Sequence, residues 1–129
     1  MSRKFENLDA WNEAKNLVLF VYSLTDKYPK KEVFGLVSQS NRAVVSIPTN
    51  IAEGCSRSSK KDFLRFLEIA IGSGYELETL MIVACDQGYI SKSELASFQE
   101  KISKVLQIIS GLKRKLLNTP NDKRPTANE

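Results

Sequence analysis

At 129 residues, 42% hydrophobic and 26% charged, the chain has the size and composition of one folded domain, which excludes wholesale disorder and leaves too little for two ordinary cores. Nineteen Lys and Arg against fifteen Asp and Glu give a net charge of +4, a balance that favours acidic partners such as nucleic acid or an anionic surface. Histidine is absent, which removes the commonest general base and the imidazole ligands of most catalytic metal centres.

Residues 1–9 are polar and charged, without the apolar run of a signal peptide. No later stretch approaches the ~20 uninterrupted apolar residues of a membrane span, so a cytoplasmic location without membrane association is expected. Cys55 and Cys85 have neither the spacing of a disulfide framework nor that of a zinc site and are expected as small buried apolar residues.

A first amphipathic helix is predicted from Asp9 to Lys27, where Leu8, Trp11, Ala14, Val18, Val21 and Thr25 recur at three- and four-residue spacing and Leu17, Phe20 and Leu24 widen the stripe. Asn7 is its expected N-cap, and Tyr28 and Pro29 end it, because the residue before a proline is pushed out of the helical region.

A second is predicted from Lys31 to Gly54, with Val33, Leu36, Ser40, Ala43, Val44, Ile47 and Ile51 on one face and Gly54 as a left-handed stop. Pro48 lies inside it. A proline there removes a backbone donor and crowds the preceding turn at a cost of roughly 3 kcal/mol, so a kink near Val44 to Pro48 is expected.

Ser59 and Asp62 have the spacing of a capping box that opens a third helix, whose stripe runs through Phe63, Phe66, Leu67, Ala70, Gly74, Leu77, Met81 and Ala84 to Asp86, with Gly88 closing it. Gly72 and Gly74 in its middle predict close approach of a neighbouring helix. Ser91 and Glu94 form a second capping box, followed by an unbroken heptad seam of Leu95, Phe98, Ile102, Val105, Ile109, Leu112 and Leu116. From Thr119 onward the residues cannot bury enough surface to order themselves. The expected organisation is an all-α, antiparallel up-down-up-down four-helix bundle over residues 1–118 and a disordered tail over 119–129.

Two features carry function. Along the second helix, Gln39, Arg42, Ser46, Asn50, Glu53 and Arg57 follow spacings of three and four and share one strip beside the apolar face. Its amides, hydroxyls and single charges suit a contact surface that pairs hydrogen bonds, whereas a plain wet face is dominated by Lys and Glu. Across a short link the third helix would bring Glu53 near Lys61, and Arg42 within reach of Glu68 or Glu76. The second feature is basic: Lys30 and Lys31 at one end, Arg57, Lys60, Lys61 and Arg65 at the other, and Lys113, Arg114 and Lys115 near the end of the fourth helix, all suited to phosphates. No cofactor, metal or small-molecule substrate is expected. The competing readings are a module that binds only protein, and a metal-dependent hydrolase using Glu53, Glu68 or Glu76.

Phe5 to Leu8 with Trp11 and Ala14, then Gln39, Arg42, Ala43, Ser46, Ile47, Pro48, Asn50, Ile51, Ala52, Glu53 and Gly54, then Gly72 and Ser73 with Glu76 and Leu77, resemble the bacterial four-helix-bundle proteins encoded in intervening sequences of 23S ribosomal RNA genes. The likeness spans about Phe5 to Leu117 and is most specific from Ser46 to Gly54; Gly74 stands where the family often has a larger apolar residue. It implies a bundle that associates as a ring, a homopentamer, and a kinship with the accessory subunit of diversity-generating retroelements, whose basic outer surface engages nucleic acid and a reverse transcriptase. On that basis Gln39, Arg42, Ser46, Asn50, Glu53 and Glu76 are candidates for the surface between protomers. Ring closure is head-to-tail and needs two different complementary faces. The function expected is that of a non-enzymatic accessory or scaffold that binds RNA or DNA electrostatically.

Overall fold

The computed structural model describes residues 4–120. Four α-helices form it: α1 (Asp9–Thr25), α2 (Ser38–Cys55), α3 (Lys60–Asp86) and α4 (Lys92–Asn118), with no strand among the described residues. Each helix packs on its chain neighbours, and α1 also packs on α4. Contacts between partners run in opposite directions. Ser46 meets Ser73 while Gly54, further along α2, meets Phe63, earlier in α3. Glu13 of α1 pairs with Lys104 of α4, and Lys27 beyond α1 pairs with Glu94 near the start of α4.

The ends of the helices follow their local chemistry. Ser59 accepts from the Asp62 amide, and Ser91 and Glu94 make the full reciprocal box. Gly88 ends α3 at φ 80°, the left-handed region that glycine occupies without a Cβ penalty. At the start of α1 the expected Asn7 cap is replaced: Asn7 belongs to a 3-10 turn (Lys4–Asn7), and Leu8 takes the cap position without a side-chain bond. Asn12 ties that entry instead, its amide donating to the carbonyls of Glu6 (3.0 Å) and Leu8 (3.1 Å).

The second element differs most from the sequence reading. α2 begins at Ser38 rather than Lys31; before it come a 3-10 turn (Lys30–Glu32) and a wider π turn (Val33–Val37). Gly35 inside the π turn has non-helical angles, φ −107° and ψ −111°, so the side chains ahead of it fall out of register with the buried face and Val33 is exposed. Pro48 is buried inside α2, whose helical span runs across it; the departure from helical geometry that this segment does show is at Gly35. Around the proline, the carbonyls of Val45 and Ser46 accept additional bonds from Thr49 (2.8 Å) and Asn50 (2.8 Å).

One core joins the helices. Leu17 and Val21, Ile47 and Ile51, Leu67 and Leu77, and Phe98 and Ile109 are buried within it; full burial of such a side chain contributes about 1.5–3 kcal/mol. Gly54 is not the left-handed stop expected of it. It lies within α2 and lets α3 close in: a Cβ there would stand 2.6 Å from Phe63 Cδ1. Gly74 serves α4 in the same way, 2.8 Å from Leu106 Cδ2, whereas Gly72 faces open space. Both cysteines are half-buried rather than fully enclosed. Thr119, assigned to the tail, is held, its hydroxyl donating to the Lys115 carbonyl (2.7 Å) and its own carbonyl accepting from Lys60 (3.0 Å). From residue 121 the tail lies outside the described residues.

Candidate functional site

The strip on α2 exists as a continuous surface shared with α3. At its centre Ser46 Oγ lies 2.8 Å from Ser73 Oγ, and Asn50 Nδ2 donates to Ser46 Oγ at 2.9 Å. Ser46 and Asn50 are half-buried at the seam, while Gln39, Arg42, Glu53 and Glu76 are exposed around it. The expected pairing of Arg42 with Glu68 or Glu76 is not formed: Glu68 pairs with Lys113 at 4.0 Å, and Arg42 and Glu76 make no ion pair among the described residues. Glu53 bonds Arg57 (3.3 Å), four residues on in the link that follows α2, rather than Lys61.

Apolar side chains border this surface. Val45 on α2 and Ile69 and Val83 on α3 are exposed, as are Leu19 and Tyr22 on α1. At about 100° per residue, Ile69, Gly72, Glu76 and Val83 share the outward side of α3, and Leu19 faces away from the core side of α1. The sequence reading missed these residues, although their signal was present as apolar residues lying off each buried stripe. α4 differs: Glu100, Ser103, Lys104, Gln107, Arg114 and Lys115 make its exposed face mainly polar.

The basic residues divide between the ends. α4 finishes where α3 starts, as the contact from Lys60 to Thr119 shows. Arg57, Lys60, Lys61, Arg65, Lys113, Arg114 and Lys115 therefore gather at one end of the bundle, and Lys30 and Lys31 stand at the other. Arg57 and Arg65 lie over the ring of Phe66, 4.9 and 4.5 Å from its centre, and Arg65 also reaches Asp62 (3.9 Å). Lys61, Arg114 and Lys115 are exposed and make no ion pair among the described residues. Arg114 and Lys115 edge a groove of about 850 Å³ between the start of α1 and the end of α4, with Asp9 on its other wall.

The opposite end is a polar network. Glu32 accepts from the Leu36 amide (3.1 Å) and from the Tyr89 hydroxyl (2.9 Å). These bonds, the backbone one foremost, hold its carboxyl below the usual carboxylate range. Glu94 is lowered by its bond from Lys27 and then by that from the Ser91 amide. Tyr28 is buried, donates to Met81 Sδ (3.7 Å), and is pushed up to about 12 by burial and then by the charge of Glu94. No group of three or more His, Cys, Asp or Glu side chains is placed to hold a metal ion among the described residues, and no helix is long and apolar enough to cross a membrane.

With this geometry in place, comparison with known proteins is direct. Residues 6–111 match the family model described as 23S rRNA-intervening sequence protein. The chain belongs to that family. A solved structure, described as a protein of unknown function from the S23 ribosomal protein family from Bacteroides thetaiotaomicron VPI-5482, superposes with a TM-score of 0.71 at 18% identity, over 81% of this chain and 98% of that one. At that identity the likeness is one of fold. Comparison with curated proteins gave no match. Family membership fixes shape and assigns no reaction.

Proposed function

We propose that the protein is a non-enzymatic, cytoplasmic helical bundle that assembles as a closed homo-oligomer, a pentamer by analogy with the ring its sequence resembles, and that it holds RNA or DNA by phosphate contacts as an accessory or scaffold. The observation that carries the nucleic-acid reading is the gathering of seven basic side chains from three segments at one end, with Lys61, Arg114 and Lys115 uncommitted. Phosphates take such cations without a shaped pocket, and the resulting affinity is independent of sequence. The family's link to ribosomal RNA genes agrees with this partner class.

The oligomer reading is supported by the uneven outer surface. α1, α2 and α3 expose Leu19, Tyr22, Val45, Ile69 and Val83, whereas the exposed face of α4 is mainly polar, with Leu117 exposed near its end. Two distinct apolar-bordered faces and one wet face suit a head-to-tail ring. The strip of Gln39, Arg42, Ser46, Asn50, Glu53 and Glu76 supplies hydrogen-bonding groups for such a contact.

The test is binding of RNA and DNA across a salt series together with the native mass. Three neutralised phosphates predict a slope of roughly −3 in log K against log salt. No binding at low salt rejects the nucleic-acid reading, and a monomer rejects the ring. The same exposed apolar residues favour a second reading, a module that binds only protein; a partner captured after nuclease treatment, with no nucleic-acid binding, selects it.

A further inference from the structure

Phe34 is 95% exposed, more than any other large apolar side chain described. This ring, beside the exposed Val33 and in a segment of defined shape, offers an open aromatic face for stacking. The shape comes from Glu32. Its two carboxylate oxygens accept from the Leu36 amide and the Tyr89 hydroxyl, clamping the Val33–Val37 turn onto the segment that follows α3. Gly35 permits this fold, since a Cβ at that position would stand 2.7 Å from Glu32 Oε1. The turn therefore presents Phe34 already positioned, which lowers the ordering cost of any contact it makes.

The charges beside it select the partner. Lys30 and Lys31 precede the turn, are exposed, and make no ion pair among the described residues. Glu32 spends both carboxylate oxygens on hydrogen bonds, although its charge still acts on the neighbouring Lys31, and Glu94 is taken by Lys27. A protein interface would have to cover two exposed lysines that make no ion pair among the described residues, a residue type depleted from interface cores. A single nucleic-acid strand uses both features at once, its phosphates taking the lysines and an unpaired base taking the ring face.

We propose that this end of the bundle is a contact for single-stranded nucleic acid, in which Phe34 stacks on an unpaired base and Lys30 and Lys31 engage the flanking phosphates. The proposal rests on the nucleic-acid reading above and adds a second contact, at the end opposite the seven clustered cations, and a strand class. A duplex offers no free base face, so this contact discriminates against it; RNA and DNA single strands share the chemistry.

The experiment measures binding of the full-length protein to labelled oligo(U), oligo(dT) and a duplex of equal length at fixed low salt, for wild type and for Phe34→Trp, Phe34→Leu and Phe34→Ala. Stacking predicts that Leu and Ala each weaken single-strand binding about tenfold or more and leave duplex binding unchanged, while Trp retains it and its added fluorescence is quenched by the oligonucleotide. The difference between oligo(U) and oligo(dT) assigns RNA or DNA as the preferred strand. Wild-type affinity in the Leu variant overturns the proposal, and so does a change of native mass in the Phe34 variants, which would make the ring a contact between copies. Equal binding by all variants removes this contact and leaves the phosphate reading intact; no binding by wild type removes both.

Discussion

Ser46 of α2 and Ser73 of α3 face each other with their hydroxyl oxygens 2.8 Å apart, and Asn50 donates to the same Ser46 oxygen at 2.9 Å. The hydrophilic strip is thus bonded to the neighbouring helix. Ser73→Ala removes one of these bonds but leaves Ser46 a partner in Asn50, so the expected loss is about 0.5–1.5 kcal/mol. Urea denaturation should show a lower midpoint with an unchanged slope.

The glycines predict a graded series. Gly54→Ala drives a Cβ against the Phe63 ring at 2.6 Å and should cost about 1–3 kcal/mol. Gly74→Ala meets only the flexible end of Leu106 and should cost less. Gly72→Ala meets nothing within 4 Å and sits in a helix interior, so it should stabilise the isolated bundle by up to ~1 kcal/mol. The order of thermal midpoints across the three variants checks the packing of α3.

Acid and alkali should act at the same end of the molecule. Glu32 and Glu94 titrate below the ordinary carboxylate value when folded, so their contribution is present above the unfolded value and is lost as pH falls through the folded one. Stability should therefore decline below about pH 4.5, and Glu94→Gln should flatten that decline. Tyr28 runs the other way: its folded value of about 12 exceeds the ordinary 10.0, so stability should fall as pH rises from 10.0 towards 12. Tyr28→Phe should remove that alkaline slope in denaturation profiles measured across this range.

Charge reversal separates the basic end from the rest. Lys61→Glu and Arg114→Glu should each weaken nucleic-acid binding about equally for all sequences and reduce the salt slope by roughly one. Arg57→Glu should do less, because that guanidinium is already engaged by Glu53 and the Phe66 ring.

The four helices and their buried faces were legible because each carries one dominant apolar period: Phe98, Ile102, Val105, Ile109, Leu112 and Leu116 are all buried as the heptad predicts. The segment before α2 was not. Val33 and Leu36 continue the spacing of the stripe on paper, but the π turn at Gly35 breaks the register, and such turns leave little trace in periodicity. Gln39, Arg42, Ser46, Asn50 and Glu53 lie on α2, but the ion pairs expected of the strip did not form. Which carboxylate an exposed arginine meets depends on helix rotation, and Glu68 went to Lys113 on α4. The convergence of Lys113, Arg114 and Lys115 with Arg57 and Lys60 follows from the alternating helix directions expected from the sequence, which bring the end of α4 to the link between α2 and α3.

Neighbour-to-neighbour packing has a kinetic consequence. α1 with α2, α2 with α3 and α3 with α4 can each dock over a short stretch of chain, but the seam between α1 and α4 joins segments separated by all of α2 and α3. Its ties, Glu13 to Lys104 and Lys27 to Glu94, close longer loops than the seams between chain neighbours and so carry a larger loop-closure entropy. Breaking them should open the domain first along that line, and amide hydrogens facing it should exchange sooner than those between α2 and α3.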